Sequence, residues 1–363
     1  MTVHRLKEQE PSHYFDRGMK IKIVAIALLI LGGAHFYVQA QDPVFSQFYN
    51  SPVYLNPALI GEEEFMMVNF AHRSQWSSLE FPYTTSQLTF VVPYYKDKHR
   101  KPTGHIGGFG VSFYNDMAGE SNNLKTTGGY ANFAYNLQLS KNNLNRIVFG
   151  MQAGFINKRI DKSRLEWGEQ YNPFIGFDNT VTPAELDQLQ NRTFFDLTAG
   201  VFWRYYDLEE TKVIRSVYAG FVGAHLNMPD ESVVDGLSTN LPVLYKIHGG
   251  IVFALSEKTS ISANMLSMVQ DLENQTNFGS FLTYKFPVEN AGKLNNFAAR
   301  IGAWHRLNDA AIASMEFLTD NFLMGFSYDW NVTSLRYQNR GTGSYEITLT
   351  YRFFKPSAPK VMY

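Results

Sequence analysis

The chain has 363 residues, no cysteine, and 32 Lys plus Arg against 33 Asp plus Glu, for a formal charge of −1. The absence of thiols excludes a disulfide framework, a thiolate metal site and a cysteine nucleophile, and the balanced charge leaves no basic footprint for nucleic acid. Charged residues make up 18 % and aromatic residues 15 %, where ordinary soluble domains carry ~25 % charged residues, so the composition does not fit a cytosolic enzyme.

The first element is a leader. Lys20 and Lys22 precede the apolar run Ile23 to Leu31, and Val38-Gln39-Ala40 places modest side chains three and one positions before Gln41. This is the layout of a secretory signal peptide, and the run is far short of the ~20 apolar residues of a spanning helix. Residues 1–40 are therefore expected to be leader and signal, with the mature chain starting at Gln41. The polar stretch Met1 to Gly18 is unusual ahead of such a signal, and Met19 reads as the true start. Gln41 in place of cysteine closes the bacterial lipoprotein route.

Residues 41–61, QDPVFSQFYNSPVYLNPALIG, come next. Pro43, Pro52 and Pro57 break any long strand or helix, while Phe45, Phe48, Tyr49, Tyr54 and Leu55 supply apolar anchors between the breaks. A broken backbone of this kind leaves polar groups unpaired in lipid and must be enclosed by protein or lie beneath it. The expectation is a segment that plugs a lumen from the periplasmic side. Asn56 and the Asn-Pro-Ala turn fix its path, and Phe45, Phe48, Tyr49 and Tyr54 pack on the inner wall.

Residues 62–354 alternate with a period of two. Tyr345, Ile347, Leu349, Tyr351 and Phe353 oppose Glu346, Thr348, Thr350 and Arg352; Phe195, Leu197, Ala199, Val201 and Trp203 oppose Asp196, Thr198, Gly200 and Arg204. Such alternation marks strands with one polar and one apolar face, and repeated aromatic residues at strand ends fit an interfacial girdle. Strands are predicted over Met66–Trp76, Thr84–Tyr95, His105–Asn115, Thr126–Ser140, Asn145–Asp161, Thr193–Asp207, Ser216–Met228, Tyr245–Ser256, Ser260–Gln270, Thr276–Phe286, Asn295–Asn308, Ala310–Thr319, Phe322–Thr333 and Ser344–Phe354. About fourteen strands, an even number, predict an all-β fold: a transmembrane antiparallel β-barrel with the irregular N-terminal segment plugging or underlying its lumen. Residues 355–363 form a short tail.

Within the barrel, the pairs Gly107-Gly108, Gly128-Gly129 and Gly249-Gly250 read as bends or close-packing points, since no phosphate-loop spacing follows them. Lys162 to Arg192 is the longest interruption, and a loop of this length is expected to be either a surface recognition element or a solvated lid. In it, Thr182-Pro183-Ala184-Glu185-Leu186 reads as a capped helix start. Arg204, Arg300, Arg306, Arg352, Asp196, Asp329 and Glu346 lie on polar faces and are expected to pair with one another in the lumen. Trp76, Trp167, Trp203, Trp304 and Trp330 read as belt or packing residues. The sequences Asn115 to Glu120 and Asn227 to Ser232 read as turns rather than calcium loops. No metal-binding motif, nucleophile elbow or carboxylate pair occurs at motif spacing, so no catalytic residue, metal or cofactor is assigned.

The motif Gln41, Asp42, Pro43, Phe45, Ser46, Gln47, followed by Leu55, Asn56, Pro57, Ala58 and Gly61, resembles the mature start of PorP/SprF-family proteins. Further similarity lies at His72-Arg73-Ser74-Gln75-Trp76, Tyr114-Asn115-Asp116-Met117-Ala118-Gly119, Gly223 to Pro229 with His225, Ser327-Tyr328-Asp329-Trp330-Asn331-Val332 and Ser344 to Ile347. Phe48-Tyr49 departs from the family's usual Tyr-Met. The resemblance implies a 14-stranded barrel in outer-membrane lipid beside the type IX translocon. It also implies binding of a secreted cargo or gliding adhesin with a C-terminal sorting domain, and contact with periplasmic ring and peptidoglycan-binding lipoproteins. Hydrophobic-solute channels of the FadL type also carry Asn-Pro-Ala ahead of a barrel. The Gln-Asp-Pro-x-Phe-Ser-Gln block and the lack of a long apolar hatch helix favour the secretion family.

Overall fold

The computed structural model describes residues 42–76, 82–96, 105–119, 122–140, 144–207, 213–286, 297–332 and 343–353. The expected signal peptide, Gln41 and the tail 355–363 lie outside the described residues.

Fourteen strands close into one antiparallel barrel, and two more form a small ribbon. In chain order they are β1 Met66–Gln75, β2 Tyr83–Tyr95, β3 His105–Ala118, β4 Leu124–Gln138, β5 Asn145–Ile160, β6 Tyr171–Asn172, β7 Gly176–Phe177, β8 Arg192–Tyr206, β9 Ile214–Ala224, β10 Leu244–Ala254, β11 Thr259–Gln270, β12 Glu273–Phe286, β13 Phe297–Arg306, β14 Ala310–Leu318, β15 Phe322–Asn331 and β16 Ser344–Phe353. Each barrel strand pairs with its sequence neighbour, with β5 joined to β8 across the loop that holds the β6–β7 ribbon. The ring closes between β1 and β16, from Met66 opposite Phe353 to Gln75 opposite Ser344.

Alternation explains the wall. Glu346, Thr348 and Thr350 point inward and are buried, whereas Ile347 and Tyr351 point outward and are exposed. The same division places Asn132 and Asn136 inside and Phe133, Tyr135 and Leu137 outside. Closure pairs the backbone groups along each ladder and removes the free edges of an open sheet. Among the described residues no helix is long and apolar enough to cross a membrane; crossing falls to the strands.

The first residue of β1 and the last of β16 mark one end of the barrel. By the rule for bacterial barrels this end is periplasmic and the end with the long loops, 161–191 and 225–243, is extracellular. The rim is uneven. β13, β14, β15, β16 and β1 have 9 or 10 residues each, and β3, β4, β5 and β8 have 14 to 16.

Strand limits agree with the alternation pattern to within a few residues, with two departures of physical interest. The strand expected to reach Met228 stops at Ala224, because His225 and Met228 adopt φ of 58° and 42° and turn the chain out of the ladder. The strand expected to stop at Asn115 continues to Ala118, where Asp116 accepts a hydrogen bond from Thr85 Oγ1 at 2.5 Å on β2.

Candidate functional site

The site begins with the segment that precedes β1. It is built from short turns: a 3-10 turn Phe48–Asn50, one helical turn Pro52–Leu55 and a second 3-10 stretch Pro57–Glu62. Proline opens the last two, where its missing N–H costs nothing. Asn56 caps the final turn by accepting from Ala58 N at 2.9 Å. That bond commits the amide oxygen, so the amide nitrogen donates outward to Val201 O at 3.0 Å and to His248 Nε2 at 3.0 Å. His248 Nε2 is thus an acceptor, which fixes a neutral ring with its proton on Nδ1.

The segment bridges opposite walls. On one side Glu346 accepts the N–H groups of Ser46 (2.6 Å) and Gln47 (3.0 Å), and Glu316 accepts Asn50 Nδ2 at 2.8 Å. Across the lumen, a Cβ on Gly150 would collide with the backbone of Ala58, one on Gly200 with the Asn56 side chain and one on Gly108 with the Ile60 carbonyl. At Gly150 and Gly108 backbone lies against backbone, and at Gly200 the capping Asn56 amide fills the place of a side chain, so these wall positions favour glycine. Aromatic packing adds to the grip: Tyr49 stacks on Trp304 at 4.6 Å and meets Phe281 edge-on at 5.0 Å, while Phe48 meets Trp304 edge-on at 5.6 Å. Lys246 Nζ donates to Tyr54 O at 2.7 Å and lies 4.1 Å from the Tyr54 ring centroid.

Two charge centres hold the segment's ends. Near the extracellular ends of β1, β13 and β15, Asp329 accepts from Arg73 (3.1 Å), Arg306 (2.9 Å) and Ser46 Oγ (2.6 Å), and Arg73 also donates to Val44 O at 2.8 Å. At the periplasmic end Glu62 pairs with Arg146 (2.6 Å) and Arg204 (2.5 Å), and Glu63 with Arg352 (2.9 Å). Arg73, Arg306, Asp329, Glu62, Arg146 and Arg204 are buried, so their mutual neutralisation offsets a desolvation cost of several kcal/mol per ion, on the order given for protein interiors, while Glu63 and Arg352 are only half-buried.

This arrangement corrects one expectation. Arg306 does pair with Asp329, but Arg204 and Arg352 pair with Glu62 and Glu63 of the segment, Arg300 with Glu316, and Asp196 with His225. The lumen charges answer the segment and the loops as well as one another. A cavity of about 240 Å³ remains beside the segment towards the periplasmic end, lined by Tyr49, Leu55, Phe202, Arg204, Phe281 and Arg300 among others.

The extracellular rim is the second part of the site. Loop 161–191 projects the β6–β7 ribbon, whose tip residue Phe174 is 94 % exposed, with Ile175 and Tyr171 also exposed. Gly176, at φ 84°, supplies the left-handed turn that the ribbon needs. The expected α-helix at Thr182 is instead a 3-10 turn, Ala184–Gln188, with Pro183 at its N-cap. It ends because Leu189 is drawn into a bridge with Val234 of the neighbouring loop. Gln190 N donates to Val233 O at 2.8 Å and Asp235 N to Gln188 O at 2.7 Å, so the two long loops are joined through their backbones.

Asp230 organises this joint. Its carboxylate accepts Thr239 N at 2.9 Å and Ser232 N at 3.1 Å and pairs with Arg192 at 2.7 Å. The two backbone donors, with Arg192 beside them, hold the Asp230 carboxyl below the usual carboxylate range. The ordering it provides is therefore complete above the ordinary Asp value of ~3.9 and is lost as pH falls through the lower folded value. Asp230→Ala should raise the rate of limited proteolysis within 225–243 at neutral pH, and acidification should do the same to the wild type. Equal rates for the two proteins at neutral pH would remove Asp230 from this role.

The structure brings together Ser46, Arg73 and Asp329, three residues singled out from sequence, with Gln47 adjoining them through Glu346. Pro43, Phe45, Leu55, Asn56, Pro57, Ala58 and Gly61 follow the segment's path; Asn136 Nδ2 donates to Gly61 O at 2.6 Å. Gln75 ends β1 and Trp76 follows it, packed edge-on against Tyr83 at 5.0 Å. Ser327 is buried and Tyr328 packs against Trp330 at 4.9 Å. Asn115, Asp116 and Gly119 sit at the β3 end, apart from the segment, and His225 and Pro229 belong to the second long loop, where His225 Nδ1 lies 2.8 Å from Asp196. Among the described residues no three His, Asp or Glu gather as a metal site. The reading from sequence missed Glu62, Arg146, His248, Gly150 and Gly200; the run Glu62-Glu63-Glu64 directly behind the Asn-Pro-Ala turn was the available signal for the first two.

A sealed antiparallel cylinder of fourteen strands, apolar outside and polar inside, is an outer-membrane β-barrel. The sequence profile of the family described as Type IX secretion system membrane protein PorP/SprF matches residues 37–351. The chain belongs to the PorP/SprF family and is a membrane component of the type IX secretion system. A search of curated proteins found no match. Among solved structures, the toluene transporter TbuX of Ralstonia pickettii is similar at a TM-score of 0.44 and 10 % identity, covering 84 % of this chain and 94 % of that one. The P. putida toluene transporter TodX gives 0.42 and 9 %, covering 84 % and 94 %. BamA from Haemophilus ducreyi gives 0.38 and 11 %, covering 80 % and 70 %.

Proposed function

We propose that this barrel is a non-enzymatic anchor. It holds a specific secreted surface protein or gliding adhesin at its extracellular rim and is tied to the periplasmic ring and peptidoglycan-binding lipoproteins at the opposite end. Export would follow cleavage of the signal after Ala40. The observation that carries the reading is the segment clamped across the lumen by buried charges at both ends, Asp329 with Arg73 and Glu62 with Arg146 and Arg204. A lumen occupied in this way suits a fixed receptor better than a conduit. The joined loops and the ribbon tip supply the grip, since Phe174 and Ile175 are large, apolar and exposed on a short hydrogen-bonded scaffold.

The test is co-purification from native membranes after mild cross-linking, comparing wild type with the double variant Phe174→Asp/Ile175→Asp. The wild type should bring down a large secreted protein together with periplasmic partners. The variant should lose the secreted protein by at least ~10-fold, the size of effect expected for apolar hot-spot residues, and keep the periplasmic ones. Equal recovery of the secreted protein would place its grip elsewhere, and recovery of no protein partner at all would defeat the anchor reading.

A further inference from the structure

The lumen segment has a direction. Its C-terminal end is fixed at the periplasmic side, where Glu62 meets Arg146 and Arg204, Glu63 meets Arg352, and Tyr95 Oη donates to Glu64 O at 2.5 Å. Its other end lies against different parts of the wall. Val44 O accepts from Arg73, close to the extracellular end of β1, and Ser46 contacts Arg306 and Asp329, beside the 307–309 turn and near the end of β15. Arg73 also reaches Ser344, the first residue of β16 at the extracellular rim. These are the strands of the low wall, so the rim is near at this point. Burial falls off in the same sense: Phe45, Ser46 and Gln47 are buried, whereas Pro43 and Val44 are only half-buried.

From these contacts we propose that the segment threads the barrel from the extracellular mouth down to β1, so that its leading end, at Pro43, is presented at the cell surface and not to the periplasm. The segment expected to plug the lumen from the periplasmic side is continuous with β1 at that side and, on this reading, reaches up to the opposite rim. The leading end then borders the same mouth as the joined loops, and a surface partner, such as a secreted polypeptide seated on the rim, reaches it directly. A periplasmic partner meets only the covalently continuous Glu62–Glu64 end. The inference stands on geometry and does not depend on which client the rim holds.

The chain contains no cysteine, so a single introduced thiol reports on its own. Pro43→Cys is to be labelled on intact cells with a membrane-impermeant maleimide, beside Phe174→Cys as the extracellular control and Ser256→Cys, in the β10–β11 turn, as the periplasmic control. Pro43→Cys should react in intact cells at a rate of the same order as Phe174→Cys, while Ser256→Cys reacts only after the outer membrane is permeabilised. Val44→Cys repeats the measurement if the first variant fails to assemble. Labelling of the segment thiol only after permeabilisation overturns the proposal, and so does failure to label under either condition while both controls react.

Discussion

Asp329→Ala should lower the unfolding temperature of the purified barrel more than any other single change in the lumen. Asp329 is 1 % exposed and is the shared acceptor of Arg73, Arg306 and Ser46. Without it two buried guanidinium groups face each other across the space it filled. Arg306 keeps Asp309 at 2.8 Å and Arg73 keeps the Val44 carbonyl, but neither replaces the shared carboxylate. Breaking a buried pair of this type costs about 3–5 kcal/mol. Asp329→Asn keeps the shape and the bond to Ser46 while losing the charge, and should fall between the two. Heat-dependent gel mobility and tryptophan fluorescence measure both; a loss for Asp329→Ala below ~1 kcal/mol, within the range of ordinary substitutions, would mean that the centre does not hold the segment.

Removal of residues 43–63 should raise the conductance of the barrel well above that of the wild type and give it a preference for anions. The deletion clears backbone that now bridges the walls and takes Glu62 and Glu63 away from Arg146, Arg204 and Arg352. Three inward guanidinium groups then dominate the periplasmic half of the lumen. Single-channel recording in planar bilayers gives both the step size and the reversal potential. Conductance equal to wild type would show that the segment is not the obstruction, as expected for a solute channel with another route. Gly150→Val guards against misassembly of the deletion, because it keeps the whole chain and drives a side chain into Ala58. Overpacking of that kind costs about 1–3 kcal/mol, so brief openings should be more frequent than in the wild type.

Most of the barrel was legible because a strand's two faces leave a mark at every second residue. Glu346, Thr348 and Thr350 against Ile347, Leu349 and Tyr351 state the inside and the outside directly. The ends of strands were less legible where conformation decides them: His225 leaves the ladder through a positive φ that its residue type does not announce. The segment's enclosure followed from its broken backbone, but its direction did not. Proline spacing shows where turns fall and says nothing of which wall receives them. Arg73 was visible as part of a motif, yet its partnership with Asp329 joins residues 256 positions apart, and no local pattern carries that information. Gly150 and Gly200 read as ordinary strand glycines until the segment is laid against them.

The distances along the chain between the segment and its partners carry a final consequence. Gln47 is bound to Glu346, 299 positions later, and Ser46 to Asp329, 283 positions later. The segment ahead of β1 is made before the barrel strands but cannot be seated until the last of them exist, and those strands are the ones that complete the β1–β16 seam. Contacts of such long range form late, after the entropy of a large loop has been given up. Sealing the cylinder and trapping its occupant are therefore one step of assembly, and a weakened clamp should leave the seam slow to zip.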